Sequence, residues 1–157
     1  MARVLAPGTP IPDLALPRLD GTTVQLRGFI GARTLVIYFY PKDLSPGCTK
    51  QACGFRDAYE QFLAAGAEVI GISAGTPAAR AEFITKNRLP FILLADPDGA
   101  ARTAFGVDKT LGLDTRVTFV VDRSGLVRHV CDAQVRVGKH LTESLAMVTE
   151  LAGPRNT

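Results

Sequence analysis

A central mixed β-sheet covered by helices is the fold this chain predicts, and three observations carry the prediction. Thr34–Phe39 is a continuous apolar run rich in β-branched and aromatic residues, and Ala67–Ser73 follows as a second segment of the same kind of burial. Both read as strands buried on both faces, the mark of a parallel sheet. Segments of helical periodicity follow them, in the order β-α-β-α-β. Late in the chain two further strands are joined by Asp122-Arg123-Ser124-Gly125, too tight a connection for anything but an antiparallel hairpin.

Taken in order, residues 13–16 and 23–26 flank Asp20-Gly21, a favourable turn pair, and predict an N-terminal β-hairpin. After the strand Thr34–Phe39 comes a loop from Pro41 to Gly47, with two prolines and a glycine. A helix is then expected from about Cys48 to Ala65, where Ala52, Phe55, Tyr59, Phe62 and Leu63 recur at helical spacing. The strand Ala67–Ser73 leads to Thr76-Pro77, an N-cap followed by proline at the first helical position, and a helix to about Asn87. Residues 91–95 form a third strand and residues 98–105 a short helix. Strands over 116–121 and 126–132 make the late hairpin, and a helix over 138–151 closes the chain. Helices on a mixed sheet in this order satisfy a thioredoxin-like α/β fold, and 157 residues suit one domain spanning 1–157.

Composition removes several function classes. A chain with 46% apolar and 21% charged residues is an ordinary globular protein. Its net charge is only +3 and its 18 basic residues are scattered, which gives no surface for nucleic acid. The longest strongly apolar run, LVIYFY from Leu35, falls far short of the ~20 residues of a membrane span. The opening MARVLAPGTPIPD carries prolines and an acid where a signal peptide has an unbroken apolar stretch, so a cytoplasmic location is expected. Three cysteines are too few for a disulfide scaffold. A close pair such as Cys48 and Cys53 suggests catalysis, redox chemistry or metal binding instead.

Cys48 falls where a buried strand, a loop and a helix start meet, the usual place for a site in an open α/β sheet. A thiol in the first helical turn faces unpaired backbone N–H groups and the positive end of the helix dipole, and both favour the thiolate, the nucleophilic form. At 100° per residue Cys48 lies within the apolar stripe of its helix and should sit in a pocket. Cys53 is five residues on, about 140° around the helix, beside Asp57 and Glu60. In an intact helix the two Cα atoms stand ~8.7 Å apart from rise, radius and rotation, whereas a disulfide needs less than about 7 Å. The pair can therefore join only if the first turns unwind, which Gly54 would ease.

The segment YFYPKDLSPGCTKQACGFRD, residues 38–57, resembles the signature of the peroxiredoxins, specifically the bacterioferritin comigratory protein or peroxiredoxin Q group. The resemblance covers most of the chain and implies that Cys48 is the peroxidatic cysteine and Cys53 the resolving one. It matches Pro41 to the proline shielding the site and Arg116, opening RVTFVVD, to the arginine beside the thiolate. Ser45 stands where the group usually has threonine. It keeps the hydroxyl but loses the methyl that stiffens the rotamer. Gln51 stands where many relatives carry glutamate and is given no catalytic role. Residues 107–115 form a shorter connection than in many relatives, bordering the site and the contact surfaces. The implied reaction consumes a hydroperoxide and a dithiol reductant such as thioredoxin, without metal, haem or flavin. The working unit is expected to be a monomer, with a weak dimer as the alternative. Preference among hydrogen, alkyl and lipid peroxides is left open.

Rival readings are fewer. A thioredoxin-type disulfide oxidoreductase would carry Cys-x-x-Cys, but here four residues separate the cysteines. A structural zinc module could draw on Cys48, Cys53, His129 and Cys131, since His129 and Cys131 alternate onto one strand face, but Cys48 and Cys53 diverge around their helix. A regulatory peroxide sensor would need a DNA-binding or partner segment, and none is recognisable. Cys131 reads as a buried spectator, with a role as alternative resolving thiol as the other possibility. His129 reads as a strand residue and His140 as a surface residue of the last helix.

Overall fold

The computed structural model describes residues 4–153 apart from positions 42, 44, 97, 108, 111, 112, 115, 134 and 135, and of positions 109, 110, 113 and 114 the backbone alone. The first hairpin pairs β1 (Ala15–Pro17) with β2 (Thr23–Gln25), and a 3-10 turn, Leu26–Phe29, follows. Next come β3 (Thr34–Phe39), α1 (Pro46–Asp57), α2 (Tyr59–Ala64), β4 (Ala67–Ser73), α3 (Pro77–Asn87), β5 (Ile92–Ala95) and α4 (Ala100–Phe105). A two-residue ribbon, β6 (Lys109–Thr110) and β7 (Leu113–Asp114), precedes β8 (Val117–Val121), β9 (Val127–Cys131) and α5 (Val137–Ala152).

The main sheet has five strands in the order β5-β4-β3-β8-β9. Strands β3, β4 and β5 run parallel, while β8 lies antiparallel to both β3 and β9. Every residue of β3 is buried, as its unbroken apolar run requires. Successive side chains of a strand point to opposite faces, and β3 divides accordingly. Leu35, Ile37 and Phe39 join a core completed by Leu16, Val24, Leu94, Phe105 and Phe119. Val36, Tyr38 and Tyr40 join a second core with Cys48, Phe55, Phe62, Phe83 and Val148. Helices α1, α2, α3 and α5 thus cover one face, and α4 with the hairpin covers the other.

Three local outcomes differ from expectation. The expected helix over residues 48–65 starts earlier, at Pro46, because Ser45 caps it. It also breaks at Ala58, whose φ −97° and ψ 3° leave the helical region. The ribbon β6–β7 was not expected. It lies within residues 107–115, of which positions 108, 111, 112 and 115 are outside the described residues. His140 is no surface residue: its exposure is 0%.

The burial of His140 follows from its place on α5 four and eight residues before Ser144 and Val148, the other buried members of one stripe. Its Nε2 lies 2.6 Å from the Ala133 carbonyl and its Nδ1 2.7 Å from Thr118 Oγ1. A carbonyl only accepts, so Nε2 carries the hydrogen and the neutral ring takes the Thr118 hydroxyl hydrogen at Nδ1. Burial, with the Arg116 charge adding to it, holds the ring below the usual histidine value against the opposing Ala133 bond and the Glu143 and Asp132 charges. A histidine with a folded pKa below its unfolded value contributes stability that is complete above about pH 6.5 and is lost as pH falls toward the folded value. His140→Gln should therefore flatten the loss of stability as pH falls below about 6.5, measured as urea midpoints against wild type. Equal slopes would show that His140 does not titrate on unfolding.

Candidate active site

The antiparallel register of β3 and β8 pairs Phe39 with Val117, so the end of β3 and the residue before β8 lie at the same end of the sheet. There the chain leaves Tyr40, passes the half-buried Pro41 and enters α1. Ser45 Oγ accepts the Cys48 N–H at 3.3 Å, and Pro46 occupies the first turn. Cys48 is consequently the third residue of α1. Its neighbours on the stripe, Gln51, Ala52 and Phe55, are buried with it, and its own exposure is 1%. A side chain at Gly47 would stand 3.2 Å from Arg116 Nη2 and 3.9 Å from Val137 Cγ2. Glycine thus admits the guanidinium, while the start of α5 lies at ordinary contact distance.

Arg116 is itself only 6% exposed. Its Nη2 lies 3.5 Å from Cys48 Sγ, and its Nη1 donates to Gln51 Oε1. A permanent cation inside a buried pocket favours a sulfur anion and any negative charge developing on a bound oxygen. Gln51 orients that cation without neutralising it, because an amide oxygen accepts a hydrogen bond but carries no charge. Sequence reasoning assigned Gln51 nothing. The signal was its spacing, three residues after Cys48 on the same helix face. Beneath them, burial first and the neighbouring Cys48 second keep the Tyr38 hydroxyl protonated far above the usual tyrosine range.

A polar floor fixes the loop before α1. Tyr40 Oη donates to Asp43 Oδ1 at 2.6 Å, and Ser73 Oγ stands 3.5 Å from Asp43 Oδ2. A Cβ at Gly75 would fall 2.0 Å from that same oxygen, so only glycine admits the carboxylate there. Arg102 Nη2 donates to the Tyr40 carbonyl at 3.1 Å and its guanidinium lies over Phe39. Asp43 also escaped sequence reasoning, since a lone aspartate in a loop reads as a solvated turn residue.

The structure brings Cys48, Ser45 and Arg116 together, and places Pro41 half-buried in the loop between β3 and α1. Cys53, on the far side of α1, is a free and half-buried thiol. Cys131 lies in β9, where burial, with the Glu143 charge second, pushes its thiol up to about 11, so it stays protonated near neutrality. His129 pairs with Glu143 at 2.6 Å. Among the described residues no three His, Cys, Asp or Glu side chains converge as metal ligands.

If Arg116 stabilises the Cys48 thiolate, Arg116→Met should slow alkylation of Cys48 by iodoacetamide at neutral pH by about tenfold, the factor carried by 1.4 kcal/mol. Gln51→Leu, which removes the anchor but leaves the cation, should slow it less, by about three- to fivefold. Peptide mass mapping reads both rates. Unchanged alkylation in the two variants would mean that the cation does not govern this sulfur.

Comparison with known proteins gives the same reading. The AhpC/TSA family pattern matches residues 7–130. Peroxiredoxin Q, chloroplastic, of Oryza sativa subsp. japonica is 45% identical over 146 residues, covering 92% of this chain and 67% of the relative. The crystal structure of peroxidoxin BcpB from Mycobacterium tuberculosis superposes with a TM-score of 0.85 at 33% identity, covering 92% of this chain and 97% of that one. A bacterioferritin comigratory protein of Xanthomonas campestris, studied for alkyl peroxide reduction, superposes with a TM-score of 0.81 at 33% identity, covering 88% and 92%. The sequence match, the shared fold and the buried cysteine at the head of α1 agree: the chain belongs to the AhpC/TSA family, as a thiol-dependent peroxidase of the peroxiredoxin Q and bacterioferritin comigratory protein group.

Proposed function

We propose that Cys48 is the attacking thiolate and Cys53 the resolving thiol of this peroxidase. The observation that carries the reading is the 3.5 Å approach of Arg116 Nη2 to a Cys48 sulfur buried in the first turn of a helix. In the first step the sulfur attacks the nearer peroxide oxygen. The O–O bond breaks, Cys48 becomes the sulfenic acid, and the departing alkoxide or hydroxide takes a proton to leave as ROH or water. Arg116 faces the charge that passes between sulfur and oxygen. The Ser45 hydroxyl holds the first turn as its cap, and a hydroxyl can both accept from a peroxide and donate to the sulfur. Pro41 limits access to the site from the strand end.

In the second step the Cys53 thiol condenses with the sulfenic acid, forming the disulfide and releasing water. Thioredoxin or a similar dithiol protein then supplies two electrons and two protons to restore both thiols. Organic hydroperoxides are proposed as substrates beside hydrogen peroxide, supported by the alkyl peroxide reduction of the Xanthomonas relative. The cycle is complete within one chain, which supports a monomer as the working unit. Its need for a dithiol reductant suits a reducing compartment such as the cytoplasm.

Three variants test the assignment in a thioredoxin-coupled assay of peroxide consumption. Cys48→Ser should abolish turnover. Cys53→Ser should consume one peroxide equivalent and then stall or over-oxidise, whereas Cys131→Ser should keep turnover, because a thiol with a pKa of about 11 is a poor nucleophile near neutrality. Peptide mapping of oxidised wild type should show Cys48 joined to Cys53. Wild-type activity in Cys48→Ser, or a dominant Cys48–Cys131 linkage, would contradict the assignment.

A further inference from the structure

We infer that Asn87 and Arg56 form a clasp that holds Cys53 away from Cys48 and sets the rate of the resolving step. This rests on the reading of Cys53 as the resolving thiol. The Cys53 Sγ stands 3.6 Å from Asn87 Oδ1. Asn87 Nδ2 donates to the Phe83 carbonyl one turn back at 3.1 Å, which fixes the amide so that its oxygen, and not its nitrogen, faces the thiol. One turn on from Cys53, Arg56 Nη1 donates to the backbone carbonyl of Asn87 at 2.8 Å. That carbonyl is among the last four of α3 and has no partner within its own helix. Arg88 ends the helix there with a left-handed φ of 52°. Two residues of α1, on one face three apart, are thus fastened to one residue at the end of α3.

The placement matters because of what Cys53 must do. The sulfur of Cys48 lies on the buried stripe of α1 and that of Cys53 on another side. Joining them requires α1 to unwind, and Cys53 cannot travel while its thiol and the next turn are held by Asn87. The bond-forming step is Cys48–S–OH + HS–Cys53 → Cys48–S–S–Cys53 + H2O. It transfers no electrons to or from an outside reagent, and the thiol proton leaves in the water. If opening precedes condensation, the observed rate is the condensation rate multiplied by the open fraction. Neither residue touches Cys48, so the clasp does not enter the attack on peroxide. It governs how long the sulfenic acid persists, and therefore its exposure to a second peroxide that carries it to sulfinic acid.

Asn87→Ala and Arg56→Ala each remove one half of the clasp. Arg56 is one-third exposed, so its truncation leaves the core intact even if Asn87→Ala weakens α3. Quenched-flow mixing with one equivalent of hydrogen peroxide, read by mass spectrometry with a sulfenic-acid trap, separates attack from disulfide formation. Both variants should form sulfenic acid at the wild-type rate. Each should form the disulfide about three- to tenfold faster, the factor carried by one modest hydrogen bond, and should need more peroxide for over-oxidation. Disulfide formation at the wild-type rate or slower in both variants, with attack unchanged, would overturn the clasp. Absence of any Cys48–Cys53 linkage in oxidised wild type would instead overturn the assignment beneath it, and the clasp with it.

Discussion

The site depends on a guanidinium brought to a sulfur by strand pairing. Arg116 precedes β8, Cys48 lies in the third position of α1, and 68 residues separate them in sequence. They meet because β8 runs antiparallel to β3 in the register that sets Val117 against Phe39, so the entry to β8 lies beside the exit from β3. The chain leaving β3 then has to turn into α1 close to that end of the sheet. Ser45 as cap, Pro46 in the first turn and glycine at position 47 make the turn possible, and Asp43 anchors the loop from below. A slip of one residue in the pairing would turn Phe39 and Val117 to the wrong faces and carry Arg116 away from the thiol.

Rigidity and opening are divided between different parts of the same region. The loop and the first turn of α1 are held by groups facing the sheet: Tyr40, Ser73, Gln51 and Arg116. The outer side of α1 is held by fewer and more exposed contacts, those of Cys53 and Arg56 with Asn87. Such a helix can present a preorganised thiolate to a peroxide and still release its outer residues afterwards. Lasting order is needed where charge develops, and reversible order where a thiol must travel.

Much of this was legible in the sequence, and what was not has a physical cause. The strands Thr34–Phe39 and Ala67–Ser73 announce themselves because burial on both faces leaves no polar–apolar alternation through their centres, Leu35–Phe39 and Val69–Ile72. Cys48 was placed in a pocket by helical spacing alone, but Arg116 could be attached to it only through the family resemblance, since strand register is not written in either segment by itself. The break at Ala58 carries no glycine or proline to signal it. Gln51 was passed over because an amide shows no chemistry until its partner is known. His140 was misread as exposed although its spacing to Ser144 and Val148 marked the buried stripe, since histidine and serine do not register as apolar. Asn87 resembles any helix-ending asparagine until α1 is seen beside it.

Cys48 and Cys53 cannot join on an intact helix, so α1 must open when the disulfide forms. Amide hydrogen exchange, followed by mass spectrometry in the reduced protein and after oxidation by one equivalent of peroxide, tests it directly. Exchange across residues 49–56 should rise on oxidation while the strand Thr34–Phe39 stays protected. Identical exchange over residues 49–56 in both redox states, with the Cys48–Cys53 disulfide present, would contradict that opening.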